Sequence, residues 1–175
     1  MLAAAVALTL TCMPAPPEDH VVTSADGGFT LEVTVEHLRL REGEAERWVF
    51  QLPPEPPEFE QHVVADDGAW VALLRSPTRD VQAPVLTLLD AKGKPRDVKL
   101  FTALTPDERE SLPRSSCGVM WLSAARVKGD ALEVDIFQGG VPLPTMRPTA
   151  FITVKVDTKT GKVTRVTPRP KRQKK

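Results

Sequence analysis

The sequence lacks tyrosine altogether and contains only two cysteines and three histidines among its 175 residues. It has no glycine-rich phosphate loop, no paired histidine–glutamate motif and no cysteine cluster, which excludes the nucleotide and metal sites that these motifs build. No apolar run approaches the roughly 20 residues that a membrane-spanning helix needs. We therefore predict no cofactor, no metal site and no transmembrane span.

What is present fits one globular domain, predicted to cover residues 18–167. Hydrophobic residues make up 41% and charged residues 26%, which is ordinary for a folded protein and excludes disorder over the whole length. The 17 prolines are too many for a helical bundle, because proline inside a helix removes a hydrogen bond and clashes with the preceding turn. The composition favours a strand-and-loop protein.

Positive and negative charges are sorted along the chain, although 23 basic and 23 acidic residues cancel overall. Residues 18–67 hold 13 acids and 3 bases, whereas residues 155–175 hold 9 bases and one acid. Residues 168–175 form a predicted flexible tail that either aids solubility or contacts an anionic envelope surface. The tail has no aromatic residue on which a base could stack, so we predict no nucleic-acid partner. Its charges are Arg169, Lys171, Arg172, Lys174 and Lys175.

The N-terminal residues 1–15 are typical of a signal or anchor segment. Leu2 to Met13 form an uncharged run of 12 residues that ends in prolines, which is the length of a signal-peptide core. Cys12 ends the run and is similar to the acylated cysteine of bacterial lipoproteins, but Thr9 and Thr11 depart from that motif. Three outcomes stay open: lipidation at Cys12, cleavage elsewhere, or no processing. Only a retained N-terminus would allow Cys12 to bridge Cys117.

Alternating apolar residues predict about eleven strands in antiparallel hairpins. Phe29 to Val35 is the clearest of them, and a phase slip at Glu36 and His37 indicates a bulge before the next strand. Later pairs of apolar runs flank turn sequences at residues 66–68, 90–94, 128–130 and 157–162. One predicted strand covers residues 98–101 and another covers residues 119–127.

A short helix is predicted over Thr105 to Leu112. Thr105 is a good N-cap, Pro106 suits the first helical position, and Glu108 stands where a capping box needs an acid. The helix must stop before Pro113. It is an insertion between strands.

Repetition of the turn sequences indicates three similar units. Asp26-Gly27 and Asp67-Gly68 lie 41 residues apart, a spacing typical of the four-stranded blades of β-propellers. Since three blades cannot close a ring, we predict sheets that curl on each other as a sandwich or open barrel. The alternatives are an oligomer that completes the ring and a fragment of a longer propeller. Trp48, Trp70 and Trp121, one in each unit, are predicted core anchors, with an aromatic binding surface as the alternative.

As a whole, the chain resembles uncharacterised exported bacterial proteins, lipoproteins among them, that have propeller-blade-like repeats. The matching pieces are Ser24-Ala25-Asp26-Gly27, Asp66-Asp67-Gly68, Ser116-Cys117-Gly118 with Trp121, and Thr160-Gly161-Lys162. These motifs are structural, so the resemblance implies an exported β protein and no activity.

Two functions from different classes remain open. The first is a non-catalytic exported protein of the cell envelope, periplasmic or anchored, that binds a protein or glycan partner. The second is a small hydrolase in which Cys117 or Ser116 acts with a distant histidine, since His20, His37 and His62 all lie within the first 62 positions. Acids at Asp66 and Asp67, or at Asp130, Glu133 and Asp135, are the nearest approach to a calcium site, but tight turns need such residues in any case.

Overall fold

The computed structural model describes residues 19–54, 59–115, 117–137 and 151–166. Within these ranges the chain forms fourteen strands in three four-stranded sheets and one two-stranded hairpin, all antiparallel. This confirms the all-β class and the three blade-like units. The strands are β1 (His20–Thr23), β2 (Phe29–Val33), β3 (His37–Glu42), β4 (Ala45–Gln51), β5 (Gln61–Val64), β6 (Trp70–Leu74), β7 (Leu86–Asp90), β8 (Pro95–Val98), β9 (Arg114–Ser115), β10 (Gly118–Val119), β11 (Leu122–Lys128), β12 (Ala131–Phe137), β13 (Phe151–Asp157) and β14 (Val163–Arg165).

Each large sheet is a meander in which consecutive strands are neighbours. Sheet 1 holds β1 to β4, sheet 2 holds β5 to β8, and sheet 3 holds β11 to β14, while β9 and β10 pair between the second and third sheets in the sequence. The four predicted turns connect β5 to β6, β7 to β8, β11 to β12 and β13 to β14. All four therefore lie at the same end of their sheets, which we call the turn end.

Sheet 2 is the middle layer of a three-layer stack. Every residue of β6 is buried, because its side chains alternate between two apolar clusters. Trp70, Ala72 and Leu74 pack with residues of sheet 3, whereas Val71 and Leu73 pack with residues of sheet 1. The described residues thus form a sandwich of sheets, with no closed barrel among them.

Both outer faces of the stack carry ion pairs. On sheet 1, Glu32 accepts from Arg39 at 3.3 Å and forms an ion pair with Arg41 at 2.9 Å. On sheet 3, Glu133 pairs with Lys128 at 2.9 Å and with Arg126 at 3.2 Å. Exposed apolar side chains share these faces with the ion pairs: Val49 on sheet 1 is 37% exposed and Phe151 on sheet 3 is 40% exposed.

The helix prediction is confirmed in place and capping. Helix α1 covers Pro106–Glu110. The Thr105 hydroxyl accepts from the Glu108 backbone N–H, and the Thr105 N–H donates to Glu108 Oε2 at 2.8 Å, which is a complete capping box.

The predicted strand at residues 98–101 is wrong, because β8 ends at Val98 and a 3₁₀ turn covers Leu100–Ala103. A strand would point Leu100 and Phe101 to opposite faces. Both side chains are buried in the same cluster, and the turn allows this.

Three further details differ from the sequence-based expectations. The phase slip at Glu36 and His37 is no bulge but the connection between β2 and β3, where the Thr34 hydroxyl accepts from the His37 N–H at 3.0 Å. The strand predicted over residues 119–127 is split into β10 and β11 around Trp121. Strands β1 and β9 are not predicted by the sequence, since they are too short to show alternation.

Candidate binding groove

Several predicted site residues lie outside the described residues. They are Cys12, Ser116 and the basic tail residues Arg169, Lys171, Arg172, Lys174 and Lys175. Lipidation at Cys12 and contact of the tail with an anionic surface therefore stay predictions, as do the boundaries at residues 1–15 and 168–175.

Cys117 is half-buried in the hairpin of β9 and β10 and is disulfide-bonded. The only other cysteine in the sequence is Cys12. A disulfide sulfur is no thiolate nucleophile, and the cavity beside Cys117 is lined by arginine and serine without a histidine. Both observations oppose the hydrolase alternative at Cys117.

Two of the three histidines meet at the junction of sheets 1 and 2, away from that hairpin. The ring centroids of His20 on β1 and His62 on β5 are 5.2 Å apart. Burial, and secondly the charge of His20, lower the pKa of His62 to about 4, so His62 is neutral at pH 7. His37 instead contacts the Thr34 hydroxyl at 3.2 Å.

Most of the acids considered for calcium already have partners. Glu133 and Asp135 pair with Arg126, and Glu133 also pairs with Lys128. Asp67 accepts from the Ala69 N–H at 3.0 Å within its turn. Among the residues that the structure describes, no group of three or more metal-ligating side chains occurs.

A groove of about 500 Å³ lies at the turn end, between sheets 2 and 3. Four hairpin turns border it. Each turn is predicted from the sequence, but the sequence does not predict that the four lie close together. The lining residues are Asp67, Ala69, Trp70, Leu88, Asp90, Lys94, Pro95, Arg96, Asp130, Thr158 and Lys159.

The groove combines apolar lining with charged residues of both signs. Trp70 and Leu88 are buried at its base, where they belong to the core between sheets 2 and 3. Lys94, Arg96 and Lys159 bring positive charge, and Asp67, Asp90 and Asp130 bring negative charge. Within the described part of the chain, no ion pair joins these six side chains to one another. The six charges therefore do not neutralise one another.

Backbone contacts hold the charged turns in place. The backbone N–H groups of Lys94 and Lys92 donate to Asp90 Oδ1 at 3.0 and 2.8 Å, and they hold the pKa of the Asp90 carboxyl below its usual value. The Arg96 guanidinium donates to the Lys159 carbonyl and so connects sheet 2 with sheet 3. The groove is therefore built on two joined hairpins.

Comparison with known proteins gives little beyond this geometry. No family model and no curated protein matches the chain. A structure described as "putative TolB from Agrobacterium tumefaciens" aligns with a TM-score of 0.36 and 18% identity over 86% of this chain and 46% of that one. A eukaryotic initiation factor aligns with a TM-score of 0.36 and 12% identity over 89% and 45%. The chain spans just under half the length of each, and neither likeness is close enough to assign a shared fold.

In the described residues, no helix has the length and apolarity to cross a membrane.

Proposed function

We propose that this chain is a non-catalytic binding protein of the cell envelope that receives a peptide segment of a protein partner in the groove between sheets 2 and 3. The observation that carries the proposal is the groove itself, where three cations and three carboxylates surround a partly apolar base without pairing with each other. Peptide segments offer charged side chains of both signs and apolar side chains together, and such combinations are typical of protein interfaces.

A protein partner is favoured over a glycan by the tryptophans. Trp48, Trp70 and Trp121 are only 7%, 5% and 0% exposed, as expected for core anchors. They therefore leave no broad aromatic ring face on which a sugar could stack.

Export is proposed on two features of the chain. The uncharged run before the prolines at the N-terminus is typical of a signal-peptide core. The disulfide at Cys117 suits an oxidising compartment such as the periplasm, and within one molecule it requires that the N-terminal run with Cys12 is retained and not cleaved off. Because Cys12 is the only other cysteine, an intramolecular bridge and lipid anchoring through Cys12 exclude each other in one molecule.

The binding proposal is tested by selecting short peptides from a displayed random library on the full-length protein. Charge-removing variants Lys94→Gln and Lys159→Gln change the groove. Lys92→Gln is the matched control, because Lys92 lies in the same turn as Lys94 but does not line the groove. We expect each groove variant to weaken binding of the selected peptides about tenfold, the effect of one charged contact.

Two results would contradict the proposal. One is a failure to select any peptide while a glycan array gives a specific ligand. The other is equal loss of peptide affinity in Lys92→Gln and Lys94→Gln, since this would indicate general charge attraction.

A further inference from the structure

Three arginines that share one region have side chains without a partner. The described residues include ten arginines, and the side chains of seven form an ion pair or a hydrogen bond. The remaining three are Arg79, Arg109 and Arg114. Within the described part of the chain, none of their guanidinium groups forms an ion pair or a hydrogen bond.

These three arginines line two adjacent cavities at the end of the stack opposite the turn end. Arg79 and Arg114 line a cavity of about 180 Å³ beside Ser115. Arg109 and Arg114 line a second cavity of about 260 Å³ beside Gln82. Arg114 lines both cavities and so connects the two parts of the site.

Backbone pairing fixes the positions of Arg79 and Arg114. The N–H and the carbonyl of Thr78 both bond to Val119, at 3.2 and 2.7 Å, and Val119 is in turn the register partner of Arg114. Gly118 allows this close approach, since a Cβ there would lie 2.7 Å from the Thr78 carbonyl oxygen. Both arginines therefore start from joined, neighbouring backbone segments.

Arg109 is held by helix α1, which is anchored to sheet 3. Both carboxylate oxygens of Glu108 accept from Arg165 Nη1 on β14 at 2.8 Å. The helix thereby keeps Arg109 at the second cavity.

Acidic residues nearby do not neutralise the three cations. Asp80 Oδ1 accepts from the Gln82 N–H at 2.7 Å, Asp107 lies in the first turn of α1, and Glu110 lines the second cavity. None of these carboxylates lies within 4.0 Å of an arginine nitrogen of the cluster. The arginine site thus keeps positive charge that a bound anion could neutralise.

We propose that Arg79, Arg109 and Arg114 bind a phosphate group, with Arg114 as the central contact. A guanidinium offers a rigid fork of N–H donors that matches phosphate oxygens. A phosphate dianion has enough oxygens and charge for several such forks, whereas a single carboxylate is satisfied by one. The phosphate is either the free ion or a small phosphomonoester whose substituent occupies the second cavity.

The test measures binding of inorganic phosphate, phenyl phosphate and acetate to the full-length oxidised protein by isothermal titration calorimetry. The variants are Arg79→Gln, Arg109→Gln and Arg114→Gln. Arg47→Gln is the control, since Arg47 is half-exposed and pairs with Glu42 in sheet 1. We expect both phosphates to bind more tightly than acetate, and we expect Arg114→Gln to weaken them about tenfold while Arg47→Gln has no effect.

The two phosphates distinguish the source of the group. Tighter binding of phenyl phosphate indicates a phosphomonoester, and equal binding indicates the free ion; both support the site. If thermal unfolding shows that Arg114→Gln does not fold, the phosphate affinities of Arg79→Gln and Arg109→Gln test the proposal instead. Absence of phosphate binding to the unmodified protein, or equal losses in Arg47→Gln and the cluster variants, would overturn the proposal.

Discussion

At the scale of single residues, Gly68 determines how closely sheet 1 can approach sheet 2. Its φ is +63°, and a Cβ at this position would lie 2.2 Å from Phe29 Cε1. Gly129 has nearly the same φ, +60°, but open space around it. It is therefore a matched control for the free-energy cost of placing a side chain on a left-handed backbone.

We expect Gly129→Ala to cost about 1 kcal/mol through its left-handed backbone. Gly68→Ala should cost that amount and a further ~1–3 kcal/mol, because Phe29 must move within a packed cluster. Denaturant unfolding of the two variants measures the difference. Equal losses would show that the contact between Gly68 and Phe29 contributes nothing to joining the sheets.

His62 makes stability depend on pH, and the sign follows from its lowered pKa. The pKa is about 4 in the folded protein against 6.5 for an ordinary histidine, so the unfolded chain takes up a proton first as the pH falls. Stability is therefore full above pH 6.5 and is lost between pH 6.5 and pH 4, by roughly 2–3 kcal/mol.

The variant His62→Phe removes this titration and keeps a ring beside Phe59, which lies 5.9 Å from the His62 ring. Unfolding measured from pH 7 to pH 4.5 should depend less on pH in His62→Phe than in the unmodified protein. His37→Gln serves as the control and should keep the original dependence. An unchanged slope in His62→Phe would refute the role of His62.

At the scale of secondary-structure elements, one ion pair fastens helix α1 to sheet 3. Glu108 and Arg165 are 7% and 10% exposed. Burial alone would raise the pKa of Glu108, but the Thr105 N–H and the Arg165 charge outweigh it and lower this pKa. Glu108 is therefore ionised at neutral pH.

Glu108→Gln keeps the shape and the capping geometry but removes the charge, so that the buried guanidinium of Arg165 faces a neutral amide. We expect a loss of about 3 kcal/mol in the free energy of unfolding. Thr105→Ala, which removes only the hydroxyl cap, should cost about 1 kcal/mol, and the exposed Glu110→Gln should be nearly neutral. A loss in Glu108→Gln no larger than that in Thr105→Ala would refute the anchoring role.

The elements also show how far the sequence could predict the structure. The turn at Asp66–Gly68 and the capping box at Thr105 and Glu108 were predictable because their signals are local. The continuous apolar run of β6 indicated a strand, but its burial on both faces depends on which sheets flank it. For the same reason the residues bordering the groove were recognisable as turn residues, whereas their convergence depends on how sheets 2 and 3 stack.

At the scale of the whole molecule, the fate of the two cysteines decides whether the protein is anchored or bridged. Intact-mass measurement of the protein from native membrane and soluble fractions distinguishes three forms. They are a chain acylated at Cys12, a chain from which Cys12 has been cleaved, and an unacylated chain that retains both cysteines. In the first two, Cys117 is left without an intramolecular partner; we expect the third to react with a thiol reagent only after reduction, because Cys117 is disulfide-bonded. A chain that keeps all 175 residues and two reactive thiols in the cytoplasm would contradict both export and the bridge.

The central claim is that the groove between sheets 2 and 3 receives the partner. Its most direct test is a nuclear magnetic resonance titration of the isotope-labelled protein with a peptide selected from the library, followed through the backbone amide signals. The account predicts shifts concentrated at Lys94, Arg96 and Lys159 in the bordering turns. Shifts confined to the ion-paired outer face of sheet 1, around Glu32 and Arg39, would contradict it.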